Sequence, residues 1–128
     1  MRIAVAVDEN AGRIAGHAGQ CRHWLVYECR AGQPLPQPQT LELSREQLPH
    51  HFRDDGPHPL RGCEMLVVGS AGDGFVRHMA SWGAEVVRTG ESDPRRALER
   101  LIAGDPLPDT RPDVTRLLCK LRDLFSRH

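Results

Sequence analysis

Aromatic side chains are scarce in this chain: one Tyr, two Trp and three Phe in 128 residues. That is too few for a base-stacking nucleic-acid platform. Net charge is lacking as well, because 17 basic and 17 acidic residues cancel, so no long-range field favours nucleic acid or an anionic membrane surface. No apolar run approaches the roughly 18 residues of a membrane span, and no basic-then-apolar leader opens the sequence. The expectation is a protein that neither crosses a membrane nor is secreted. The four cysteines, Cys21, Cys29, Cys63 and Cys119, include no CxxC pair, which points to reduced thiols in a cytoplasm rather than a disulfide framework. No Ser/His/Asp or Cys/His catalytic set stands in a recognisable local context.

What is present is an orderly succession of strand and helix patterns, in a chain long enough for one ordinary core. Residues 2–8 alternate, are rich in β-branched and small apolar residues and read as a first strand, followed by a glycine-bearing loop over 9–20 that is expected to be flexible. Residues 23–29 read as a second strand and 40–43 as a short third strand at an edge, separated by a proline-rich turn. The polar segment 44–63 is irregular, with a short helix expected near residues 57–62. Glu64-Met65-Leu66-Val67-Val68-Gly69 is a continuous apolar run suited to a strand buried on both faces. A helix with Phe75, Val76, Met79 and Trp82 inward follows, stopped by Gly83, and residues 84–87 form a fifth strand. Ser92-Asp93-Pro94 starts a helix with Ala97, Leu98, Leu101 and Ile102 inward, stopped by Gly104. Beyond a proline-rich linker, Val114, Leu117, Leu118, Leu121 and Phe125 mark an amphipathic terminal helix.

Two hairpins followed by crossovers predict an α/β fold with a five-stranded mixed sheet of order 3-2-1-4-5 and the second strand antiparallel. The carboxyl ends of strands 1 and 4 then make a topological switch point, where open α/β sheets bind ligands. That edge collects His17 in the loop Gly16-His17-Ala18-Gly19, Cys21 and His23 at the start of strand 2, and His50 and His51 after strand 3. Cys29 and Cys63 fall at the opposite edge. His17, Cys21, His50 and His51 are therefore the candidate metal ligands, of a softness that suits iron, iron–sulfur units, zinc or copper. Cys21 also reads, more readily, as a small buried apolar residue. His58 and His78 are expected to be structural or exposed. The set is too incomplete for a closed zinc site and better suits a cofactor that arrives with most of its coordination satisfied.

The chain resembles a known family, the dinitrogenase iron–molybdenum cofactor biosynthesis domain, which includes small carriers similar to NifX, NafY and the C-terminal part of NifB. The resemblance rests on Ile3-Ala4-Val5-Ala6-Val7-Asp8, on Gly16-His17-Ala18-Gly19 leading to Trp24-Leu25-Val26-Tyr27-Glu28, on Cys63-Glu64-Met65-Leu66-Val67-Val68-Gly69 with Gly83-Ala84-Glu85-Val86-Val87, and on Ala97-Leu98-Glu99-Arg100-Leu101-Ile102-Ala103-Gly104. It covers residues 1–107, leaving 108–128 as a linker and appended helix. It implies a ribonuclease H-like three-layer fold and a histidine, His17 here, that holds the iron–molybdenum cofactor or a precursor. The aromatic residue that follows this histidine in the family is Ala18 in this chain.

The leading expectation is a non-catalytic carrier of an iron–molybdenum cofactor, its precursor or another iron–sulfur cluster, passed to nitrogenase or to cofactor-assembly proteins. Backbone amides of Gly16, Gly19, Gly72 and Gly74 are candidates to hydrogen-bond an anionic cluster. The alternative is a cofactor-free interaction module that docks through the terminal helix. A metal-dependent nuclease built on Asp8 and Asp73 is disfavoured, because it needs more convergent carboxylates and a basic substrate path.

Overall fold

A computed structural model describes residues 1–52 and 56–103 of the chain. The expected stop at Gly104, the linker and the terminal helix lie outside the described residues. The elements are β1 (Arg2–Val7), β2 (His23–Glu28), β3 (Gln39–Glu42), β4 (Met65–Val68), α1 (Asp73–Ser81), β5 (Glu85–Arg88) and α2 (Pro94–Ala103). They form one five-stranded sheet of order β3-β2-β1-β4-β5. β2 is antiparallel to both β1 and β3, and β1, β4 and β5 run parallel. The order and directions agree with the sequence pattern.

The two faces of β1 show why. Ile3, Val5 and Val7 point to one side, where they pack with Met65, Val67 and Val87 under Ala97, Leu98 and Leu101 of α2. Ala4 and Ala6 point to the other, toward Leu66, Val68 and Met79 of α1 and toward Leu43, Leu48 and Leu60 of the long crossover. Two central alanines leave room for a large neighbour. Ala6 stands opposite Trp24 across the β1–β2 pair, and the indole is 1% exposed, its Nε1–H donating to the Cys21 carbonyl at 3.0 Å. The helix ends follow local chemistry. Gly83 takes a left-handed φ of 83° after α1, where a β-carbon is costly, and Asp93 Oδ1 accepts the Arg96 amide at 3.1 Å at the start of α2.

The crossover departs from expectation. No helix forms near 57–62; two turns form instead, closed by Arg61 N–H to the His58 carbonyl and Cys63 N–H to the Leu60 carbonyl. The physical reason is the sequence Pro57-His58-Pro59, which denies helical donors, with Gly62 at φ 90°. His58 is buried, which agrees with the structural alternative of its expected roles. Its Nδ1 accepts the Leu60 amide at 3.0 Å, which leaves the ring proton on Nε2, facing the Gln47 carbonyl. Phe52 and Trp82 pack on that ring, and the Arg61 guanidinium lies 4.4 Å from the Trp82 ring centre. This cluster fastens the crossover to α1.

Two predictions follow from the core. Trp24→Ala leaves a cavity over Ala6 and lowers unfolding free energy by about 3–5 kcal/mol, measured by denaturant titration. Burial pushes the Cys29 and Cys63 thiols up from the ordinary value of 9.0 to about 11. Between those values the folded chain keeps protons that the unfolded chain releases, so stability is full below about pH 9 and falls as pH rises toward 11. Chemical denaturation across that range reads the slope, and a Cys29→Ala/Cys63→Ala double variant flattens it.

Candidate functional site

The chain leaving β1 does not wander as a free loop. Asp8 turns it: its carbonyl accepts the Ala11 amide, its Oδ1 accepts the Gly12 amide at 3.0 Å, and its own amide donates to the Arg13 carbonyl. Ile14 then bridges back to Val7, and the Ala15 amide donates to the Ala6 carbonyl at 2.8 Å. The expected flexible loop is thus tied along the end of β1, because small residues allow its backbone to come close to the sheet.

The next contacts join it to the end of β4. Gly69 N–H donates to the Ala15 carbonyl at 2.8 Å, and a β-carbon at position 69 would sit 3.0 Å from that same oxygen. The His17 amide donates to Ser70 Oγ at 2.9 Å, and the Ala18 amide to the Ser70 carbonyl at 3.1 Å. Between these bonds His17 takes the left-handed conformation, φ 52° and ψ 55°, which costs an L-residue roughly 1–2 kcal/mol. A short 3-10 turn, Ala18–Gln20, follows, and its Gly19 carbonyl accepts the His50 amide at 3.0 Å.

The result is a cleft of about 380 Å³ lined by His17, Gly19, His50, Ser70, Gly72 and Phe75, among others. It lies at the carboxyl ends of β1 and β4, the switch point that the strand order requires. Of the candidate residues, His17, His50, Gly19, Gly72 and Gly74 line it. Gly16 stands beside it, where a β-carbon would come within 2.8 Å of Ser70 Oγ. His51 is not a wall of the cleft; its ring meets that of His50 edge-on at 5.0 Å. Cys21 is not a wall either. It is a buried core residue, its Sγ–H shared between the Val7 and His23 carbonyls, and burial raises its thiol pKa. Cys29 and Cys63 lie at the other end of the sheet, where the Cys29 amide donates to the Met1 carbonyl and the Glu64 amide to the Arg2 carbonyl.

The floor of the cleft is the start of α1. Gly72 is its N-cap and offers no side-chain acceptor, so first-turn amides face outward without a cap. Arg88 at the end of β5 props the loop from beneath: its Nη1 donates to the Ala71 carbonyl at 3.2 Å and lies 3.5 Å from Asp73 Oδ1. Asp8 lines a separate cavity with His23 and Glu42, so the two carboxylates weighed for a nuclease serve different places. Among the described residues no group of three or more His, Cys, Asp or Glu side chains converges to hold a metal ion. No helix among them is long and apolar enough to cross a membrane.

Ser70, Phe75 and His78 were not legible as site residues. Ser70 sits in a run of small residues that reads as a turn. Phe75 and His78 are three apart on α1, the spacing that puts two side chains on one helix face, and this was the available signal.

The profile of the dinitrogenase iron–molybdenum cofactor family matches residues 1–104. Among solved structures, the crystal structure of PH0822 is similar at a TM-score of 0.64 and 19% identity, over 88% of this chain and 98% of that one. A solution structure of a Thermotoga protein, described as a candidate NifB protein of the DUF35 family, is similar at a TM-score of 0.55 and 15% identity, over 80% of this chain and 88% of that one. At these identities the two structures speak to the fold alone. No curated protein matches the chain.

The cleft geometry predicts a graded response at its hinge. Ser70→Ala removes the acceptor of the His17 amide and costs about 1 kcal/mol, with faster hydrogen exchange at His17. Gly69→Ala forces backbone apart at Ala15 and costs about 1–3 kcal/mol. Thermal melts and amide exchange of the pair give both values.

Proposed function

The chain belongs to the dinitrogenase iron–molybdenum cofactor family, and we propose that its cleft holds an iron–molybdenum cofactor, its precursor or another iron–sulfur cluster as cargo, without catalysing a reaction on it. The observation that carries this reading is His17, held in a left-handed conformation by Ser70 at the mouth of the switch-point cleft. Strain kept at one residue by surrounding hydrogen bonds is typical of a residue that must present its side chain.

The chemistry agrees with such a cargo. A polynuclear cluster has its metals already bridged by sulfide and needs only one or two terminal ligands from the protein. Neutral imidazole is a suitable ligand for iron, and an exchangeable single histidine leaves the cluster free to depart. Negative charge on the cluster is met by the uncapped amides at Gly72–Gly74 and by the helix dipole of α1. Gly16 and Gly19 keep the loop low, so the cargo can approach the backbone. Cys21 and His51 act behind the site, the first in the core and the second against His50. The recipients are nitrogenase or cofactor-assembly proteins. A ribonuclease H-like description suits the sheet order with α1 and α2 on opposite faces.

Anaerobic titration with isolated iron–molybdenum cofactor tests the proposal. His17→Ala is expected to weaken binding by about tenfold or more, equal to roughly 1.4 kcal/mol, with an unchanged melting curve. Equal affinity in parent and variant would remove His17 from the site.

A further inference from the structure

A second cavity of about 260 Å³ adjoins the first. It is lined by Gly19, Pro49, His50, Gly74, Phe75 and His78, so four residues, Gly19, His50, Gly74 and Phe75, wall both cavities. The two form one trench, with His17 along one part, His78 along the other and His50 at the divide. We propose that His50 and His78 form a second donor pair for the same cluster, binding a metal atom other than the one taken by His17. This rests on the cluster-carrier reading above.

Several observations point the same way. Each ring has a ring neighbour: His78 packs edge-on against Trp82 at 4.9 Å, and His50 against His51 at 5.0 Å. The backbone beneath His50 is fixed by its amide bond to Gly19. His78 lies one turn along α1 from Phe75, and this places both at the trench. Yet no three donors among the described residues converge on one point. Among the described residues a lone zinc or iron ion would find at most two protein ligands at any position, short of the four of a closed site. Donors spaced around a trench fit a cargo with several metal atoms spread over its length. At each contact a neutral imidazole nitrogen gives a lone pair to the metal and displaces a solvent ligand, with no change in oxidation state. Two contacts on one body hold it longer than either alone, because release of one leaves the other in place.

The test measures release of iron–molybdenum cofactor from anaerobically loaded full-length protein. His78→Ala is expected to speed release tenfold or more, and added imidazole is expected to slow it again. His78→Phe keeps the ring packing on Trp82 but has no donor; it is expected to release as fast as His78→Ala and not to respond to imidazole. Zinc alone, titrated into the parent, is expected to give no stoichiometric site at micromolar concentration. If both His78 variants release at the parental rate while His17→Ala loses binding, the second donor pair is overturned and the carrier reading stands. If the parent takes up no cofactor, both fall. Stoichiometric zinc binding that depends on His50 and His78 would overturn the cluster assignment in favour of a mononuclear site.

Discussion

Everything at the functional edge depends on how closely two backbones approach after β1 and β4. The Gly69 amide meets the Ala15 carbonyl at 2.8 Å, at a position where a β-carbon would be 3.0 Å from the same oxygen. A side chain there would require the Ala15 backbone to give by a few tenths of an ångström, and the close approach places Ser70 where its hydroxyl and carbonyl take the next two amides, those of His17 and Ala18. The conformation of His17 is therefore set by strand packing one step removed. It is not a property of the histidine loop by itself.

The sheet supports this from below. Ala4 and Ala6 keep one face of β1 shallow, so Trp24 and the crossover residues Leu43, Leu48 and Leu60 can pack against it. The same crossover then carries His50 to the Gly19 carbonyl, and the ring cluster of Phe52, His58 and Trp82 holds it against α1. Core and site are parts of one arrangement: the crossover that these residues bury also carries His50 to the wall of the cleft. Arg88 plays a similar part at the floor, with its guanidinium under the Ala71–Asp73 backbone.

Much of this was legible in the sequence, for identifiable reasons. The run Met65–Val68, buried at every residue, announced a central strand, and the hairpin and crossover spacings gave the sheet order. Gly83 and Asp93 marked helix ends because a left-handed stop and an amide-accepting side chain leave strong local signatures. The edge that collects His17 and His50 followed from the order alone. The miss at the loop after β1 is tertiary. The loop after β1 looked flexible because its glycines are visible in sequence while its hydrogen bonds to Ala6, Gly69 and Ser70 are not. His58 reads as structural or exposed, and its burial agrees with the first; nothing local reveals that Leu60 and Gln47 meet its two ring nitrogens. Cys21 reads more readily as a small buried apolar residue than as a ligand, and its place in the core agrees with that reading. The helix expected near 57–62 yielded to two prolines.

The proposed function stands or falls with His17 as a direct ligand of a bound cluster. Pulsed electron paramagnetic resonance on cluster-loaded protein, grown with ¹⁵N-histidine, tests it most directly. A His17 ligand gives a histidine-nitrogen hyperfine coupling to the cluster that changes with the isotope and is lost in His17→Gln. A loaded protein with no histidine coupling, or one whose coupling survives intact in His17→Gln, would contradict it.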